Sequence, residues 1–184
     1  MPLSLKPFAN LLPWGSGAPP AFDLYDAIMA QARLPIYYQG LGVPDTLEGR
    51  FSILTLHLFA VFHRLKGAGP EAAATAQALS ERFVEDMDTV LREIGVGDLK
   101  VPKKVRKLVA GGASLIERYN QARTAGSDAL QSAIAESLPL EAEEANTASA
   151  KLMPYVSAML QSLNEQSVED ICAGKVHFPP VAGA

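Results

Sequence analysis

Between Leu47 and Leu65 the chain carries apolar side chains on almost every side of a helix, and such a helix has to be surrounded. With successive residues rotated by about 100°, Leu47, Phe51, Leu54, Leu58, Val61, Phe62 and Leu65 form one broad apolar face. Ile53, Leu56 and Ala60 form a second. Glu48, Ser52, Thr55, His63 and Lys66 gather on the flank suited to solvent, and Phe59 interrupts even that. Between the two apolar faces Arg50, His57 and Arg64 recur every seven residues, a stripe that drifts by about 20° per step. This segment is expected to be covered on most sides.

Helical periodicity continues through most of the chain, and sustained strand alternation is missing, so the expected fold is all-α: one bundle of about six to seven helices. A proline-rich leader (1–21) precedes a helical domain (22–173), and an extended tail (174–184) follows. Phe22 to Arg33 reads as a short helix ended by Pro35, and Ile36 to Pro44 as a loop that packs down through its tyrosines. The second helix opens at Asp45, where Asp45 and Glu48 resemble a capping box, and runs to about Lys66. The third spans Glu71 to Ile94, closed by Gly95 in the left-handed conformation with Val96 as its apolar companion. Pro102 suits the first turn of a fourth helix running to about Thr124. Weaker helical segments follow at 126–137, 143–163 and 166–173, the penultimate one kinked or ended by Pro154.

Composition narrows the function. Among 184 residues 48% are hydrophobic and 20% charged, the balance of a packed chain. A net charge of −4 removes the global attraction of a dedicated nucleic-acid binder, so specific DNA binding is not expected. The lone Cys172 permits neither an internal disulfide nor a multi-thiolate metal site. The leader lacks a continuous apolar stretch, and the longest apolar-rich run, Ile53 to Phe62, is about half of what a spanning helix needs.

The charges beside apolar faces are the candidates for a site. Arg50 and Arg64 should find carboxylates on a neighbouring element, and the third helix offers Asp86 and Asp88 at opposite edges of its apolar arc, with Arg92 beside the latter. An ion network between the second and third helices is the expected arrangement. His57 and His63 point about 120° apart and cannot share a metal, so no metal site is expected. Asp86 and Asp88, on opposite edges, do not make an acid–base dyad. Gly95-Val96-Gly97 lacks both the preceding strand and the third glycine of a dinucleotide loop. An alternative remains in which His57, inside a helical cavity, binds haem or another small molecule. Lys100, Lys103, Lys104, Arg106 and Lys107 put five cations within eight residues, either as a solvated face or as an electrostatic contact with lipid, ribosomal RNA or an acidic partner.

One ordered series of residues points to a family. Tyr37-Tyr38-x-x-Leu41-Gly42-Val43-Pro44-Asp45-Thr46-x-x-Gly49-Arg50-Phe51 leads into Leu56-His57-Leu58-Phe59 and Arg64-Leu65. Asp86-Met87-Asp88-x-x-Leu91-Arg92-Glu93-x-Gly95-Val96-Gly97-Asp98-Leu99 and Val101-Pro102-Lys103 follow. Over residues 37–119 this resembles the ubiquinol-cytochrome c chaperone family. The resemblance implies an all-helical assembly factor for the respiratory cytochrome bc1 complex (complex III), non-enzymatic and without a cofactor. Its partners would be newly made cytochrome b or other bc1 subunits and a small assembly protein, met near the ribosome and the inner membrane. The leader lacks the Arg-rich, Ser-rich character of a mitochondrial presequence, so the expected setting is the bacterial cytoplasm, at the inner face of the plasma membrane. Tyr37, Tyr38, Arg50, His57, Arg64, Asp86, Asp88, Arg92 and Asp98 would hold the walls of a client groove or touch the client, and the Lys100–Lys107 segment would recruit the protein.

Overall fold

In the computed structural model, which describes residues 19–181, the segment Leu47–Leu65 is a helix surrounded by four others. In chain order the elements are α1 (Pro19–Ala32), α2 (Ile36–Gln39), α3 (Leu47–Leu65), α4 (Pro70–Glu93), α5 (Val101–Ala125), α6 (Ser127–Ser137), α7 (Ala142–Glu165) and α8 (Val168–Cys172). Six are longer than two turns, α2 and α8 are single turns, and no strand occurs among the described residues. α3 packs on α1, α4, α5 and α7, and twelve of its nineteen residues are buried, which makes it the centre of an all-α bundle.

The flank of α3 expected to face water is exposed at its ends, at Glu48 and Lys66, but covered in its middle. Ser52 and Thr55 are buried, and their hydroxyls donate to carbonyls: Ser52 to Ser137 (2.7 Å) and Glu48 (3.0 Å), Thr55 to Phe51 (2.8 Å). A hydroxyl that finds a carbonyl loses little on burial, so small polar residues did not mark a solvent face here.

Helix ends follow local chemistry. Thr46, not Asp45, caps α3, its Oγ1 accepting from the Gly49 amide at 3.1 Å. Gly49 is a glycine for a steric reason, since a Cβ there would stand 2.1 Å from the Pro44 carbonyl oxygen. α4 ends as expected: Gly95 takes φ 84°, its amide reaches the Arg92 carbonyl, and the Val96 amide reaches the Leu91 carbonyl, each at 3.0 Å. Pro154 is accommodated inside α7 rather than ending it.

Two segments differ from expectation, and a third is extended as expected but firmly packed. Ile36–Gln39 is a helical turn inside the expected loop, and Tyr37 on it is wholly buried. Pro19–Ala21, assigned to the leader, begin α1; the rest of the leader lies outside the described residues. The extended tail is not loose, because Val181 is buried and Val176 and Phe178 pack on the core. The Gln166 side chain clamps His177, accepting from its amide (2.9 Å) and donating to its carbonyl (2.8 Å).

Candidate functional site

The most informative concavity is an apolar groove of about 670 Å³ between α1, α3, α4 and α5, closed at one end by α6. Phe51 and Leu54 come from α3, Met87 and Leu91 from α4, Leu108 and Leu115 from α5, and Met29 from α1. Leu47, predicted for the buried face, instead stands half exposed on the lining of the groove. Gly111 also lines the groove. It lies in the middle of α5 with nothing within 4 Å of the place a Cβ would occupy, so no internal packing requires a glycine there.

Charged groups rim the groove, and four of them have side-chain partners. Arg50 donates to Asp45 (2.6 Å), and its guanidinium carbon lies 4.9 Å from the centre of the Tyr38 ring. Tyr38 is held in place by its hydroxyl, which donates to the Ala32 carbonyl at 2.7 Å. Arg118 on α5 meets Glu136 on α6 at 3.4 Å across the closed end. Asp86 accepts from the Tyr25 hydroxyl (2.9 Å), tying α4 to α1; burial and the adjacent carboxylate both hold that phenol protonated. The Arg82 guanidinium covers the Phe22 and Tyr25 rings at 5.2 and 5.4 Å, so α4 is fastened to α1 by aromatic and polar contacts.

The ion network expected between the second and third predicted helices, now α3 and α4, is therefore not formed. Arg50 and Arg64 occupy the first and last turns of α3, where the side chain reaches past the packed surface that the heptad arithmetic assigns it. Arg50 is 47% exposed and pairs with a carboxylate just before its own helix. Among the described residues Arg64 finds no carboxylate; it donates to the carbonyls of Leu163 and Gln166 (both 2.8 Å) at the C-terminal end of α7, where cationic charge complements the helix dipole. Asp88 and Asp98 bracket Arg92 at 2.5 and 2.6 Å in an exposed cluster at the α4–α5 corner.

His57 belongs to a separate buried cluster. Its Nδ1 is 2.8 Å from the Ile53 carbonyl, which can only accept, so Nδ1 carries the proton. Nε2 then accepts from the Tyr155 hydroxyl (2.8 Å), with the Tyr37 hydroxyl 3.3 Å away, while Gln31 donates to both tyrosine oxygens at 3.0 and 3.3 Å. The Phe178 ring packs edge-on against the imidazole, 5.4 Å between centres. Burial lowers the His57 pKa to about 4 and pushes Tyr155 up to about 12, so the whole cluster is neutral. Both imidazole nitrogens are engaged and no surface is exposed, so the reading of His57 as a ligand in a cavity is corrected: it joins α1, α2, α3 and α7.

Of the nine residues singled out for the groove, Tyr38, Arg50 and Asp86 line it. Tyr37 and His57 lie in the buried cluster, Arg64 at the end of α7, and Asp88, Arg92 and Asp98 at the corner. Lys100, Lys103, Lys104, Arg106 and Lys107 are all exposed, and among the described residues none has a carboxylate within 4.0 Å. Sequence reasoning missed Arg33, Glu48, Gly111, Arg118 and Glu136 on the groove, and Gln31 and Tyr155 in the cluster.

The site offers an apolar floor beneath a polar rim, the arrangement of surfaces that hold a polypeptide. Among the described residues no group of three His, Cys, Asp or Glu is placed to hold a metal, and no helix is long and apolar enough to cross a membrane. A family model described as ubiquinol-cytochrome C chaperone matches residues 39–178, extending the similarity well beyond the 37–119 window and through α7 and α8. The crystal structure of the Cbp3 homolog from Brucella abortus is similar throughout, with a TM-score of 0.78 and 32% identity over 91% of this chain and 93% of that one. No match is found among curated proteins.

Proposed function

Because the chain belongs to the ubiquinol-cytochrome c chaperone family, we propose that it is an assembly chaperone which holds newly made cytochrome b in the α1–α3–α4–α5 groove and promotes assembly of the cytochrome bc1 complex. The observation that carries this reading is the groove itself. An apolar floor open along α5, with Gly111 leaving its backbone bare, lets a helix of the client approach more closely than any larger residue permits. Arg33, Glu48, Arg50 and Arg118 at the rim offer both signs of charge to the polar ends of such a segment. The protein works as a binder and not an enzyme. A small assembly protein shares the client, and the setting is the cytoplasm of a bacterium beside the inner face of its plasma membrane. In this reading the Asp88–Arg92–Asp98 cluster and the Tyr37–His57–Tyr155 cluster hold the groove walls in position and do not touch the client.

Deletion of the gene tests the role. Assembled bc1 complex is expected to fall while the cytochrome b transcript is unchanged, and normal bc1 levels refute it. Gly111→Leu tests the groove. It fills the floor of a folded protein, so bc1 assembly should fail although the variant accumulates normally; full complementation by Gly111→Leu refutes the groove as the binding surface.

A further inference from the structure

At the α4–α5 corner Leu99 is 99% exposed and Ile94 57% exposed, the two most exposed of the large apolar side chains among the described residues. An isolated surface leucine is unremarkable. This one is presented by a fixed frame. Val96 on one side packs on the core and Val101 on the other is fully buried, while Arg92 bridges Asp88 and Asp98 across the turn and the Gly95 closure fixes the end of α4. The corner cannot fold its apolar residues inward, because the frame points them out.

Cations surround them. From Arg92 to Lys107 there are six basic residues against two carboxylates, Glu93 and Asp98, and Asp98 is already engaged by Arg92. Val101, Val105 and Val109 turn the buried side of α5 inward, so Lys100, Lys103, Lys104, Arg106 and Lys107 cover the outer side of its first two turns. Positive charge at a helix start opposes the macrodipole, and no carboxylate occupies the first turn to offset it. An anionic surface would offset it. Four of the five cations between Lys100 and Lys107 are lysines, point charges suited to diffuse attraction by many headgroups, not to bidentate recognition of one group.

We propose that this corner is a docking tip for an anionic lipid bilayer, with Leu99 and Ile94 entering the interfacial layer and the α5 lysines lying on the headgroups. The proposal deepens the chaperone reading, on which it rests only for the expectation that a membrane-protein client is met at a membrane. It needs neither the client nor the groove. Charge attraction and a shallow apolar insertion act together in such anchors, and either alone gives weak, reversible binding.

The full chain is tested by flotation with vesicles of phosphatidylcholine alone and of phosphatidylcholine with phosphatidylglycerol. Binding only to the anionic vesicles is expected. Leu99→Ala should weaken it about tenfold and the triple variant Lys103→Glu, Lys104→Glu, Lys107→Glu about a hundredfold, with melting temperatures unchanged. A tryptophan reporter isolates insertion: with Trp14→Phe and Leu99→Trp combined, the emission should shift to the blue on anionic vesicles. No binding to anionic vesicles overturns the proposal. So does binding that the lysine variant loses but Leu99→Ala retains without a blue shift, or tighter binding to poly(U) RNA than to vesicles, which assigns the patch to RNA. Because no client is present, failure here leaves the groove reading standing, and failure of the Gly111→Leu test leaves the tip standing.

Discussion

Glycine-to-alanine changes within α3 and α5 should act with opposite sign, and the structure gives the size of each. At Gly49 a new methyl would stand 2.1 Å from the Pro44 carbonyl oxygen and 3.1 Å from its carbon, so the Val43–Pro44 segment must retreat by about 1 Å. That movement pulls on the chain leading to Thr46, whose hydroxyl caps the Gly49 amide itself. Losing the cap costs about 1 kcal/mol and displacing packed backbone about 2 kcal/mol more, against about 1 kcal/mol regained from the better helix former. The net expectation for Gly49→Ala is a loss of about 2 kcal/mol. At Gly111 a methyl meets nothing within 4 Å, so only the propensity remains and Gly111→Ala should gain about 1 kcal/mol. In a chain of this size that gain raises the melting temperature by about 2–4 °C. Urea unfolding followed by helical circular dichroism measures both variants on one scale. Two changes of the same sign would refute the steric account of Gly49 and the claim that Gly111 serves nothing inside the fold.

Two further outcomes follow from the buried and terminal charges. His57 has its folded pKa lowered to about 4 against an ordinary value near 6.5, so between those values the unfolded chain binds more protons and stability falls as pH drops. Denaturation midpoints should therefore decline from pH 7 to pH 4, by about 3 kcal/mol in total for this group, and His57→Phe should remove most of that slope; the half-buried His63, shifted the same way by burial and by Arg123, supplies part of the remainder. An unchanged slope in His57→Phe would show that another group controls it. Arg64→Ala should cost about 1–2 kcal/mol by orphaning the carbonyls of Leu163 and Gln166, whereas Arg50→Ala, half exposed, should cost less than about 1 kcal/mol. The reverse order in thermal unfolding would reinstate a buried role for Arg50.

Much of the architecture was legible because helix punctuation is local. Pro70, Gly95, Pro102 and Gly126 each bound a helix within a residue or two of where their backbone chemistry puts the boundary. The all-round apolar pattern of residues 47–65 likewise identified the one segment that must be surrounded. What failed was the inference from angular position to partner. Arg50 and Arg64 sit at the right angle for burial but at the ends of α3, and a long side chain at a helix end reaches the nearest carboxylate or the unpaired carbonyls of a neighbouring helix end. Ser52 and Thr55 misled in the other direction, since their hydroxyls are satisfied by the backbone and can be covered. The groove was legible only in outline. Arg118 and Glu136 meet across the α5–α6 turn and Gln31 meets Tyr155 from the far end of the chain, pairings that no periodicity within one helix encodes. Gly111 alone carried a local signal, a glycine in a helix interior with no turn to explain it.

The strap formed by residues 176–181 bears on how the molecule matures. Phe178 closes over an imidazole contributed by the central rod, and Gln166 latches the intervening backbone, so a stretch without any regular structure acts as the lid of the interior. Until it is threaded into place, the polar knot beneath lies open to water on one side. A folding chain therefore completes that interior only once residues 176–181 have packed over it.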